Sequence, residues 1–128
     1  MSAPSHELAQ HLADQGAGAL GTDLFANQEP ATPDNVMTVY DTGGQAPVLF
    51  DEELRAPTIM IRTRSYDYAE AYARQEAAWA VLNAVRGGTI NQHRYIGVWL
   101  VSDIIAPGRD DNDRHILTAN YQVERHPV

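Results

Sequence analysis

No cysteine occurs anywhere in the 128 residues, which excludes disulfides, thiolate zinc sites and cysteine nucleophiles and leaves the redox compartment open. Lysine is missing too: all nine basic residues are arginine, which coding bias explains as well as any demand for guanidinium forks. Basic charge is absent from residues 1–54, which hold nine acids, while residues 55–128 hold eight acids and all nine arginines. No apolar run approaches the ~20 residues of a membrane span; the longest mostly apolar stretch, Tyr95 to Ala106, contains Ser102 and Asp103. Met1 to Gln10 has neither the basic nor the apolar region of a secretory signal, so synthesis and residence in the cytoplasm are the expectation. Serine is confined to Ser2, Ser5, Ser65 and Ser102, none in a G-x-S-x-G elbow, and nucleophilic catalysis has no support.

What is present suits one domain over residues 1–128. Hydrophobic residues make up 44% and charged residues 20%, the balance of an ordinary globular chain. A net charge of −8 argues against a grip on nucleic acid through phosphate neutralisation. The two parts of the chain carry −9 and +1. That asymmetry fits a solvated acidic face, or head-to-tail self-association in which the acidic part of one copy meets the arginine-bearing part of the next.

Ser5 to Gln15, with Ser5 as N-cap and Leu8 and Leu12 four apart, predicts a short N-terminal helix. Asp23 to Asn27 reads as a short strand, Glu29 to Asn35 with Pro30 and Pro33 as a turn, and Val36 to Asp41 as a strand. Thr42 to Ala56 is irregular and predicts a long exposed loop. Thr58 to Arg64 alternates as a half-buried strand. Asp67 with Glu70 forms a capping box that opens a long helix to about Arg86, stopped by Gly87 and Gly88. Its core stripe is read as Tyr68, Tyr72, Trp79, Leu82 and Val85, with Ala71 and Ala78 beside it. On that reading Trp79→Ala costs roughly 3 to 5 kcal/mol. Arg94 to Ile105, apolar on both faces, predicts a central strand covered on both sides. Pro107 to Arg114 then forms a hairpin loop leading into the strand Ile116 to Arg125. The whole predicts an α+β domain: a mostly antiparallel sheet with the long helix packed on one face and a short N-terminal helix.

Several motifs fall short of a chemistry. Gly16, Gly18 and Gly21 spell G-x-G-x-x-G, but a helix precedes them where a dinucleotide fingerprint needs a strand. Asp110, Asp111, Asn112 and Asp113 resemble half a calcium loop, yet an EF-hand counted from Asp111 has Ile116 at its glycine position and Gln122 at its glutamate position. His93 and His115 could approach each other across the hairpin. A metal-dependent hydrolase built on Asp103, Asp110, Asp111 and His115 is one alternative, and a monomeric interaction module another. Arg62 and Arg64 share one strand face, where they clamp a carboxylate of another chain or point to solvent.

Three segments together carry a resemblance: Leu20 to Asn27 (LGTDLFAN), Val39 to Gly44 (VYDTGG) and Gly108 to Arg114 (GRDDNDR). With Ile61 to Tyr72 and Arg94 to Trp99, they resemble in order and spacing the minor capsid and tail terminator (tail completion) proteins of long-tailed bacteriophages. The resemblance implies a structural virion protein without enzymatic activity or cofactor. It also implies assembly with copies of itself into a ring, a hexamer, at the head-proximal end of the tail. Its partners would be the tail tube protein and the head–tail connector, with genome DNA passing through unbound and no membrane involved. Gly108, Arg109, Asp110, Asp111 and Asn112 become, on this resemblance, a loop touching another subunit or the connector; Arg62 and Arg64 join them as candidate interface residues.

Overall fold

The computed structural model describes residues 2–47 and 53–128. Helix α1 (Pro4–Asp14) is followed by strands β1 (Leu24–Ala26), β2 (Val36–Gln45) and β3 (Ala56–Ser65). Helix α2 (Tyr68–Asn83) comes next, then β4 (Gly88–Ile90), β5 (His93–Arg109) and β6 (His115–Pro127). All six strands form one sheet in the order β1-β2-β3-β6-β5-β4.

The architecture is α+β, but the sheet is mixed rather than mostly antiparallel. β1 and β2 run parallel, because residues 27–35, with Pro30 and Pro33, form a wide return instead of a hairpin. β2 extends to Gln45, so Thr42 to Gln45 are strand and not loop; Asp51 and Glu52, placed in the same loop, lie outside the described residues. β3, β6 and β5 pair antiparallel with their neighbours.

Both helices pack on one face of the sheet. Leu8 and Leu12 of α1 and Ala78 and Leu82 of α2 join Val39, Ile61 and Tyr121 in the buried core. The cap expected at Ser5 is absent: Ala3 holds that position without a side-chain bond, and Ser5 lies buried, its hydroxyl donating to Asp41 at 2.6 Å. Asp67 does cap α2, accepting from the Ala69 amide at 3.0 Å. Glu70, the other half of the expected capping box, instead accepts from the Asn35 side-chain amide.

α2 spans 16 residues and is not the long helix read from the sequence. The amides of Ala84 and Val85 bond the carbonyls of Val81 and Leu82 three residues back, which tightens the last turn and ends the helix before Arg86. Its buried positions are Ala71, Gln75, Ala78 and Leu82. The two alanines let the helix lie close to the sheet, and Gln75 Nε2 donates to the carbonyls of Ile61 and Leu117 at 2.9 and 3.0 Å. The stripe read from the sequence is thus right at Leu82 and Val85, with Ala71 and Ala78 beside it, and wrong at its aromatics: Tyr68, Tyr72 and Trp79 are exposed, Trp79 to 39%. Trp79→Ala is expected to cost about 2 kcal/mol instead of 3 to 5, since roughly two-fifths of the residue's surface already faces water in the folded protein. Urea melts check this, and a loss near 4 kcal/mol would return Trp79 to the core.

β5 is not the doubly covered central strand expected. It lies one position from the sheet edge, and β4 pairs with it only at His93, Arg94 and Tyr95. Tyr95 and Val98 are buried, whereas Trp99, Val101 and Ile105 are exposed. The face of the sheet opposite the helices carries Thr118, Asn120 and Gln122 alternating with the buried Leu117, Ala119 and Tyr121, as a one-sided sheet requires.

Candidate interaction surface

The β5–β6 hairpin is tighter than the loop read from the sequence. Pro107 to Arg109 belong to β5, and only Asp110 to Arg114 make the turn, closed by the Asp110 amide donating to the Arg114 carbonyl at 2.9 Å. The Asp110 carboxylate accepts from the amides of Asn112 and Arg114 and, at 2.8 Å, from Arg114 Nε. Partial burial pushes the Asp110 carboxyl up, but the Arg114 amide and guanidinium outweigh it and hold the group below the ordinary carboxylate range. Arg114, nearly buried, also donates to the Ala31 carbonyl and to Asp34. Asp110 is thus a structural acid of this turn, and Arg114 ties the tip to residues 31–34.

Arg62 and Arg64 do sit on one face of β3, and both clamp a carboxylate, but it is Glu29 of their own chain, at 2.8 and 3.1 Å. Arg64 is only 2% exposed and further donates to the carbonyls of Pro33 and Asp34. Its guanidinium is spent on holding residues 29–34 against the sheet, a role that neither sequence reading anticipated. Arg62, Gly108, Arg109 and Asp110 line one shallow recess of about 180 Å³ with Pro107 and Ile116; Asp111 and Asn112 stand exposed at the tip. Arg109 is held by a single solvent-exposed pair with Asp113 at 2.9 Å.

A second feature was not foreseen. Beyond Tyr95 no strand among the described residues pairs with the outer edge of β5. Four irregularities in its register with β6 give it extra residues that bend the strand into an arch. Between this arch and α2 lies a groove of about 230 Å³ lined by Glu76, Trp79, Leu100, Asp103, Ile104 and Tyr121. Neither Glu76 nor Asp103 has a basic partner among the described residues. Their charge reaches the neighbouring phenols: the Tyr72 hydroxyl is raised chiefly by its hydrogen bond to Glu76. The Tyr121 hydroxyl is raised by burial and then by both carboxylates. The spacing of Tyr68, Tyr72 and Trp79 carries this signal in the sequence, but their size gives it the look of a core stripe.

The other candidates disperse. His93 pairs across from Pro127 and His115 from Arg109, which sets the two histidines at opposite ends of β5 and β6. No group of three or more histidine, aspartate or glutamate side chains converges to metal-holding distance among the described residues, so Asp103, Asp110, Asp111 and His115 do not form the hydrolase constellation. Gly16 and Gly21 adopt φ of +82° and +84°, left-handed turn positions after α1 rather than a phosphate cradle. No helix among the described residues is long and apolar enough to cross a membrane.

What fold and surface define is a small one-sided α+β protein whose prominent features are an arched apolar edge, an acidic groove and a braced hairpin, the equipment of a binding subunit. The chain belongs to the bacteriophage tail terminator family: the model of that family, described as bacteriophage tail terminator protein, matches residues 11–126. It is a structural phage tail protein and a component of the phage particle. A chain of a solved structure described as "Virion of native gene transfer agent (GTA) particle" shares the fold. The TM-score is 0.74 over 97% of this chain and 95% of that chain, at 17% identity. No curated protein matches the chain.

Proposed function

We propose that this protein is the ring-forming terminator of its tail: copies close into a ring of about six subunits at the head-proximal end. There the ring caps the tail tube protein, meets the head–tail connector and joins tail to head as a minor structural component without enzymatic activity. The single observation that carries the reading is the unpaired, apolar outer edge of β5 within a chain of this family. Among the described residues no strand pairs with β5 beyond Tyr95, and Trp99, Val101 and Ile105 add exposed apolar surface beside that edge. The net charge of −8 supports the accompanying expectation that genome DNA passes the ring without being held, since too few cations are available for counterion release. Gly108, Arg109, Asp110, Asp111 and Asn112 are the proposed contact loop, with Arg62 beside them in the recess and Arg64 bracing the loop behind it.

Light-scattering mass over a concentration series, with negative-stain images of the same sample, tests the proposal. Closed rings are the expected result. A strict monomer, both alone and with tail tube protein present, removes the ring and favours a monomeric interaction module.

A further inference from the structure

The nine arginines divide sharply by partner. Arg62 and Arg64 hold Glu29, Arg74 holds Asp23, Arg114 holds Asp34 and Asp110, and Arg125 holds Glu7. Arg86 bonds back to Asn83 at the end of α2. Arg94 lies within the sheet between Thr89 of β4 and His126 of β6, and Arg55 lies beside Glu53 in a recess at the far end of the sheet from the hairpin. Arg94, although its backbone is paired, is exposed and has no ion pair among the described residues; Arg109 differs in projecting at the hairpin end, restrained by one exposed ion pair in which it is 51% and Asp113 76% exposed. A pair in that setting contributes little and is readily exchanged. On the same chain, Glu76 and Asp103 face a groove with no cation to neutralise them among the described residues, and the groove wall includes Trp79, whose ring is the best aromatic surface for a guanidinium.

We propose that the α2–β5 groove receives the Arg109 hairpin of a second copy of this chain, its guanidinium held between Glu76 and Asp103 and against Trp79. The inference rests on the ring reading above and specifies its contact. Donor and acceptor surfaces occupy different places on one subunit, so the contact is heterologous and propagates from copy to copy until it closes, as a cyclic ring demands. The arch of β5 suits this role: its irregular register, Asp103 and Pro107 discourage indiscriminate strand addition, while Leu100 and Ile104 offer an apolar floor to one complementary insert. Bringing the arginine stem over that floor removes apolar surface from water, and desolvating the two carboxylates beside a planar guanidinium favours the fork geometry that arginine supplies and lysine does not.

Charge exchange tests it on the full chain. Arg109→Glu alone, and Glu76→Arg with Asp103→Arg, are each expected to raise the concentration at which assemblies form by tenfold or more, a shift of about 1.4 kcal/mol per decade. All three substitutions together are expected to bring it back to within about threefold of the unmodified protein, with thermal melts of the dissociated subunits little changed. Should the groove reversal fail to fold, Glu76→Gln with Asp103→Asn is expected to weaken assembly by about tenfold without adding bulk. Assembly that ignores these substitutions, or reversals whose combination restores nothing, overturns the Arg109–groove contact while an assembling unmodified protein leaves the ring reading intact. An unmodified protein that never assembles overturns the ring reading itself.

Discussion

Glu7→Ala is expected to destabilise the protein by about 3 to 5 kcal/mol, the range for removing one partner from a buried charged cluster and leaving the rest uncompensated. The Glu7 side chain is fully buried and accepts from Arg125 Nη1 at 2.6 Å and from the Tyr95 hydroxyl at 2.8 Å. It also meets His93 Nδ1 at 2.9 Å and the Gln92 amide at 3.2 Å. Through it α1 is fastened to β5 and β6. Burial pushes the Glu7 carboxyl up, but the hydrogen bonds from His93, Tyr95 and Gln92 outweigh it and the group titrates below its ordinary value of 4.5. A folded value depressed below the unfolded one means that the carboxylate's contribution is complete above 4.5 and is lost as pH falls through the folded value. Glu7→Gln, which keeps the size and removes the charge, should therefore lose less than Glu7→Ala, and its deficit against the unmodified protein should narrow on acidification. Urea melts at about pH 7 and about pH 3.5 make the comparison; a deficit equal at both would show that the charge contributes nothing.

Nothing near Glu7 in the chain announces this cluster, because its partners His93 and Arg125 stand 86 and 118 residues away. Periodicity reports on which face of an element is apolar, and it located α1, β3 and β6 within a few residues. It cannot report how close two elements come. That is why Tyr72 and Trp79 read as core: Ala71, Ala78 and Gln75, whose Nε2 donates to two sheet carbonyls, make a better seat against the sheet than those larger side chains. The same limit applies to β5. Apolar residues on both of its faces look like double burial until the packing shows that the two helices cover one face and leave Trp99 and Ile105 exposed on the other.

The candidate surface was legible in part for the same reason. Gly108 to Asn112 stand out because they carry part of the family resemblance, and a contiguous segment is what a sequence displays most directly. The division of labour among the arginines did not stand out. Arg62 and Arg64 look free on an alternating strand, and only the return of residues 29–34 across that strand supplies Glu29 and the carbonyls that engage them. Glu76 and Asp103 lie on elements joined by neither sequence proximity nor strand pairing, so the acidic groove exists only in the packed protein.

Gly44→Ala is expected to lose about 3 kcal/mol or more, far beyond the strain of an unfavourable dihedral alone. Gly44 has φ of +122°, and a Cβ there would press on the backbone of Ala56 and Pro57, 2.5 Å from Pro57 Cα. Backbone cannot rotate aside as a side chain can. Relief requires β2 to separate from β3 where Gly44 pairs with Pro57 and Gln45 with Ala56, just past the irregularity after Asp41. Gly43 supplies the control in the adjacent position: its φ is +98°, but a Cβ would meet nothing within 4 Å among the described residues. Gly43→Ala should then cost only the left-handed conformation, about 1 kcal/mol. Parallel denaturant melts of the two variants separate the clash from the dihedral. Equal losses would mean that β3 yields to the added methyl, and that this end of the β2–β3 pair is held less firmly than its register implies.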